Sequence, residues 1–198
     1  PGLPLDQTTV TYTATTPVPV NPRTTCGDFM NCDPSPIIIS LRGDYHLTSV
    51  NDGVSFDIDA DGVAERVSWT APGAELAFLA LDRNGNGRID DGGELFGDAI
   101  ADNGWIALEA LDGNEDRVID ARDGAWNALL LWYDTNHDGR SAAHELVPVA
   151  TSGVTAIATA HRWLGRRDAF GNTFRYAGEI TLTNGRREAY DVFFVAAN

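Results

Sequence analysis

The chain has 198 residues and a formal net charge of −15, with 29 acidic against 14 basic side chains. That balance argues against a protein that tracks nucleic-acid phosphates, and no apolar run approaches the ~20 residues of a membrane-spanning helix. All 14 basic residues are arginine, and the length suits one domain with appendages.

Residues 1–25 are rich in threonine and proline, with an alternating piece from Thr8 to Ala14 followed by Pro17, Pro19 and Pro22. They read as an extended strand or linker, and a protruding Thr-Val-Thr-Tyr-Thr strand offers self-association by adding to a neighbour's sheet edge. The domain proper is expected over 26–198. Cys26 and Cys32 enclose five residues, which predicts a small disulfide ring and an oxidising compartment, with two free thiols as the alternative. No leader precedes Pro1, so the chain reads as a mature form that is secreted, extracellular or held at the cell surface.

Strand-like segments follow at Ile37–Leu41, Val54–Ile58, Glu65–Trp69 and Phe78–Leu81. A helical insertion is then expected over about 94–152, with helices at Trp105–Leu111, Gly124–Tyr133 and Ala143–Ala150. In the middle one, Trp126, Leu129, Leu130 and Tyr133 recur at intervals of three and four. The β pattern returns at Val154–Ala160, Thr173–Thr183 and Glu188–Val195, with Asn184-Gly185 as a hairpin turn. The predicted fold is α+β: an antiparallel β-sheet scaffold, an inserted EF-hand-like helix-loop-helix region and an extended N-terminal strand.

Four stretches place side-chain oxygens at alternate positions, the spacing that lets a tight loop wrap a hard cation with six to eight oxygen ligands. Loop 1 offers Asp57, Asp59, Asp61 and the carbonyl of Val63; Glu65 is its only later acid, and it lies in a strand-to-strand context. Loop 2 offers Asp82, Asn84, Asn86, the carbonyl of Arg88, and Asp90, but its closing acid, Glu94, comes one position late. Loop 3 offers Asp112, Asn114, Asp116, the carbonyl of Val118, Asp120 and Asp123, with Arg117 where a glycine would ease the sharp turn. Loop 4 offers Asp134, Asn136, Asp138, the carbonyl of Arg140, and Glu145, and fills the EF-hand loop pattern best. The cofactor these sets predict is Ca²⁺, three to four ions. Without metal the clustered acids repel, so folding and ion binding should be coupled.

Other chemistry is poorly supported. His46, His137, His144 and His161 lie outside any HExxH or CxxC setting, and Arg42-Gly43-Asp44 is too short a match to define an adhesion site. A cytosolic calcium sensor would expose a methionine-rich groove, whereas the chain holds one methionine.

The run from Phe78 to Gly97, with Pro36 to Ile39 and Val54 to Gly62 upstream, resembles EF-hand-like calcium-binding modules of large secreted bacterial proteins. The similarity spans roughly 36–150 and, more loosely, the C-terminal hairpin. Where those modules carry an acidic run after the first strand, this chain has Ser40, Arg42 and Asp44, so no metal site is expected there. Some relatives resemble the calcium-dependent self-processing module of RTX-type proteins, which cuts an Asp-Pro bond through an aspartyl anhydride. Asp33-Pro34 is such a bond, although it precedes the family-aligned Pro36 by two residues and the chain has no lysine to capture the anhydride. The expected function is a non-enzymatic extracellular structural or adhesion module stabilised by calcium; the alternative is calcium-triggered cleavage at Asp33-Pro34.

Overall fold

The computed structural model describes residues 35–197. The expectations for the N-terminal strand, the Cys26–Cys32 ring and the Asp33-Pro34 bond concern positions outside the described residues.

Eight strands form one antiparallel sheet: β1 (Ile37–Ser40), β4 (Leu76–Leu81), β5 (Val118–Asp120), β6 (Leu129–Trp132), β7 (Leu146–Pro148), β8 (Val154–Arg167), β9 (Thr173–Leu182) and β10 (Gly185–Phe193). Their spatial order is β5-β8-β9-β10-β1-β4-β6-β7, and β2 (Val54–Phe56) pairs with β3 (Glu65–Val67) as a separate hairpin. The one α-helix among the described residues, α1 (Gly104–Glu109), starts at Asn103, whose side chain accepts from the Trp105 and Ile106 N–H groups at 3.0 Å each.

Both faces of the sheet are covered. Ile37, Ile38 and Ile39 are all fully buried, yet they divide between two cores, as the two-residue period of a strand requires. Ile37 and Ile39 join Leu79, Trp105, Leu108, Ile119, Trp126 and Leu131 on the first face. Ile38 joins Phe56, Trp69, Phe78, Ile89 and Trp132 on the second. On the first face the indole of Trp105 lies 2.5 Å from where a Cβ would stand on Gly178, so only glycine fits beneath it.

The predicted helix-loop-helix region is not present. Leu129–Trp132 is a central strand, in register with β4 from Leu81↔Leu129 to Phe78↔Trp132. Trp126–Ala128 forms a single 3₁₀ turn, and Ala143–Glu145 and Val149–Thr151 form two more on either side of β7. The physical reason is double coverage. A strand buried on both faces is apolar throughout, and such a short run matches helical spacing as well as strand spacing. The hairpin turn is also displaced by one residue: Leu182 pairs with Gly185, leaving Thr183 and Asn184 as the turn.

Candidate metal centre

The four acidic loops share one backbone arrangement. In each, the carboxylate at position one accepts from the N–H groups of positions five and six: Asp57 from Asp61 and Gly62, Asp82 from Asn86 and Gly87, Asp112 from Asp116 and Arg117, and Asp134 from Asp138 and Gly139, at 2.7–3.3 Å. The oxygen at position three accepts from the N–H of position five, in Asp59, Asn84, Asn114 and Asn136. The oxygen at position five accepts from the N–H of position seven, pairing Asp61 with Val63, Asn86 with Arg88, Asp116 with Val118 and Asp138 with Arg140.

This folding inward requires positive φ at positions four and six. Position six is Gly62, Gly87, Arg117 or Gly139, at φ from +67° to +92°, with Arg117 the non-glycine member. Position four is Ala60, Gly85, Glu115 or His137, at φ from +58° to +73°. Three of the four loops therefore hold strained non-glycine residues at position four, a demand the oxygen spacing alone does not reveal.

Closure differs among the loops. Glu145 accepts from the N–H of Thr135 at 2.9 Å and of Ala142 at 3.1 Å, tying positions two and nine. Asp123 makes the same tie to Gly113 and Asp120, at 3.0 and 2.9 Å. Glu94, though one residue late, makes it too, to Arg83 and Asp90 at 2.9 Å each, because the 3₁₀ turn Gly92–Glu94 absorbs the extra residue. Asp90 itself accepts from the side-chain amides of Asn84 and Asn86. In loop 1 the closing group is Glu65, which the ligand spacing did not single out. Carboxylate oxygens of Asp57, Asp59, Asp61 and Glu65 all lie within 4.8 Å of one another.

Electrostatics mark loop 1 as short of positive charge. Burial raises the Asp57 carboxyl above its ordinary range, and the nearby Asp91 and Asp59 add to the effect. Glu65 is raised by burial and then by Asp59. Its Oε2 is buried with no hydrogen-bond partner. Glu94 is raised by burial, whereas at Glu145 the hydrogen bonds from Ala142 and Thr135 outweigh burial and hold the carboxyl low. In loop 3 the Arg122 guanidinium bonds Asp120 and reaches Asp116, both at 2.7 Å, and the bond to Asp120 lowers that carboxyl.

An acidic group that can hold a metal ion is thus present, and its donors fit a hard cation. They are oxygen only, with no cysteine or histidine, and one buried carboxylate oxygen lacks a partner. Fold and site together define a mostly β module with acidic oxygen-donor loops. Residues 37–195 match the SPM domain family, and the chain belongs to it. It is similar to iron-regulated protein FrpA of Neisseria meningitidis serogroup C, 34% identical over 173 residues. That match covers 82% of this chain but 15% of the relative, so the chain spans a small part of the relative's length. Among the described residues no helix is long and apolar enough to cross a membrane.

Proposed function

We propose that this chain is a calcium-folded structural module of a larger secreted bacterial protein, holding three to four Ca²⁺ ions in the loops that begin at Asp57, Asp82, Asp112 and Asp134. The observation that carries the reading is the fourfold repetition of one hydrogen-bond arrangement across loops of different sequence. Calcium would bind the side-chain oxygens at positions one, three and five, the carbonyl at position seven and the closing acid, replacing the mutual repulsion of the carboxylates with attraction. Because loop 1 joins β2 to β3 and loop 4 joins β6 to β7, while loop 2 leaves β4 and loop 3 contains β5, this clamps the fold. The threonine- and proline-rich residues 1–25 are the segment we propose for self-association. Native mass spectrometry in calcium, repeated after chelation, tests the reading: three or four ions on the intact chain are expected, and a metal-free chain would refute it.

A second reading is calcium-triggered self-processing at Asp33-Pro34. It is favoured by the anchorage of the next residue: Ser35 is buried and donates its N–H to Asp98 at 2.8 Å. In that reaction the Asp33 carboxylate would attack its own carbonyl carbon, the C–N bond to Pro34 would break as a proton from water passes to the proline nitrogen, and water would then open the resulting anhydride to two carboxyl groups. A fragment beginning at Pro34 after calcium addition would establish it, and a persistently intact mass would exclude it.

A further inference from the structure

Loops 1, 2 and 4 are joined by direct contacts, whereas loop 3 is attached elsewhere. Ser141, the eighth residue of loop 4, accepts through its hydroxyl from the N–H of Ile89 at 2.7 Å and donates to the Ile89 carbonyl at 3.2 Å. Ile89 is the eighth residue of loop 2, so one hydroxyl holds both backbone groups of a residue flanked by the Arg88 carbonyl and Asp90. Loop 2 in turn meets loop 1, where Gly92 donates its N–H to the carbonyl of Asp57 at 2.8 Å. A Cβ on Gly92 would lie 1.8 Å from the Ile58 carbonyl oxygen, so this approach leaves no slack. Loop 4 closes the circuit: His137 Nε2 donates to the Asp52 carbonyl at 2.8 Å, and Gly139 packs against Val54 and Ser55, just before loop 1. Loop 3 instead runs into β5, which pairs with β8, and its Arg117 carbonyl accepts from the N–H of Thr159 at 3.0 Å.

We infer that loops 1, 2 and 4 bind calcium as one cooperative unit, coupled between loops 2 and 4 by the Ser141 hydroxyl, while loop 3 fills independently. The inference rests on the calcium reading above and adds to it the order in which the sites fill. An ion that fixes loop 4 also fixes Ser141 and, through it, Ile89. The second ion then meets a loop whose ordering cost has already been met, which is positive coupling without any new contact. No such path leads from these loops to loop 3 among the described residues.

The test is a calcium titration of the full chain followed by backbone NMR, using the amides of Gly62, Gly87, Gly139 and Arg117 as reporters of loops 1 to 4 in turn. The first three should share one midpoint with a Hill slope above 1, and Arg117 should follow a midpoint of its own. Ser141→Ala should separate the Gly87 and Gly139 midpoints by roughly five-fold or more and lower the slope, leaving only the coupling that passes through loop 1. It should leave Arg117 unmoved, and Ser141→Thr should restore the wild-type behaviour. Independent titration of loops 2 and 4 in the wild-type chain, or an unchanged slope and midpoint in Ser141→Ala, would overturn the inference. A chain whose amides ignore calcium altogether would overturn the calcium reading itself, so the two failures are distinguishable.

Discussion

The two faces of the sheet are held in different ways. The second face packs Trp69, Phe78 and Trp132 beneath the β2–β3 hairpin and three acidic loops, two of which insert residues directly into that core, Ile58 and Ile89. The first face packs Trp105, Trp126 and Leu108 under α1 and a single acidic loop, which contributes Ile119. Apolar burial alone can order the first face, because few unsatisfied carboxylates lie over it. On the proposed calcium reading, the second face is finished only when the charge gathered above it is neutralised.

Chelation gives the sharpest test of this contrast. Each ion at a concentration a hundred-fold above its Kd adds about 2.7 kcal/mol to the folded state, and 1 kcal/mol moves Tm by about 2–4 °C at this size. Three ions on one face should therefore raise Tm by more than about 15 °C, and calorimetry with and without chelator should show it. Equal melting temperatures would remove the distinction between the faces.

Single closing acids come next. Glu145→Gln should weaken calcium binding in loop 4 by about ten-fold or more and weaken loops 1 and 2 with it, lowering Tm by several degrees; a charge-assisted contact of this kind is worth about 1.5–3 kcal/mol. Asp123→Asn should affect loop 3 alone, and isothermal titration of the two variants would show one multi-site loss against one single-site loss.

The first face has its own titrating group. Asp191, in register with Ile37, is fully buried, and its Oδ2 accepts from the Gly104 N–H at 2.8 Å while Oδ1 lacks a hydrogen-bond partner. Burial pushes its carboxyl from 3.8 up to about 7, helped by Asp98, with Arg175 and the Ser35 hydroxyl opposing. Between these values the folded chain keeps a proton that the unfolded chain has released, so this group makes stability fall as pH rises from about 4 through 7. In saturating calcium, Asp191→Asn should flatten Tm between pH 5 and 8, and an unaltered slope would assign the dependence to another group.

The smallest expected effect concerns Arg122. Its guanidinium occupies oxygens of Asp116 and Asp120 that calcium would need in the proposed site, yet it is exposed and easily displaced. Arg122→Ala should raise the calcium affinity of loop 3 by about two- to five-fold, since exposed ion pairs are weak. Unchanged affinity would mean that the arginine swings away without cost.

The turn geometry of the acidic loops was legible because it is local: oxygens at alternate positions in all four, glycine at position six in three of them. Glu65, the only later acid of loop 1, is not singled out as a ligand by spacing because it falls at position nine, already inside β3. The elements around the loops were not legible, and the predicted α+β fold with a helix-loop-helix insertion is replaced by a mostly β module. Leu129–Trp132 shows why: its neighbours on both faces, Ile39 and Leu79 on one side and Phe78 and Trp69 on the other, come from distant parts of the chain. Only their presence makes an unbroken apolar run a strand. The strands at β1 and β9 were readable because turn signals bound them closely.

Trp69 donates its indole N–H to Asp134 Oδ2 at 2.8 Å, while Trp105 and Trp126 lie in the other core. The acid that would be first to grip an ion in loop 4 thus leans on an indole, and that ring shares its cluster with Trp132 at 5.7 Å. Drawing electron density from the carboxylate alters the field along the indole dipole, so the molecule carries a built-in optical reporter. Ultraviolet emission from unlabelled protein would follow the filling of loop 4, against a background from Trp105, Trp126 and the exposed Trp163.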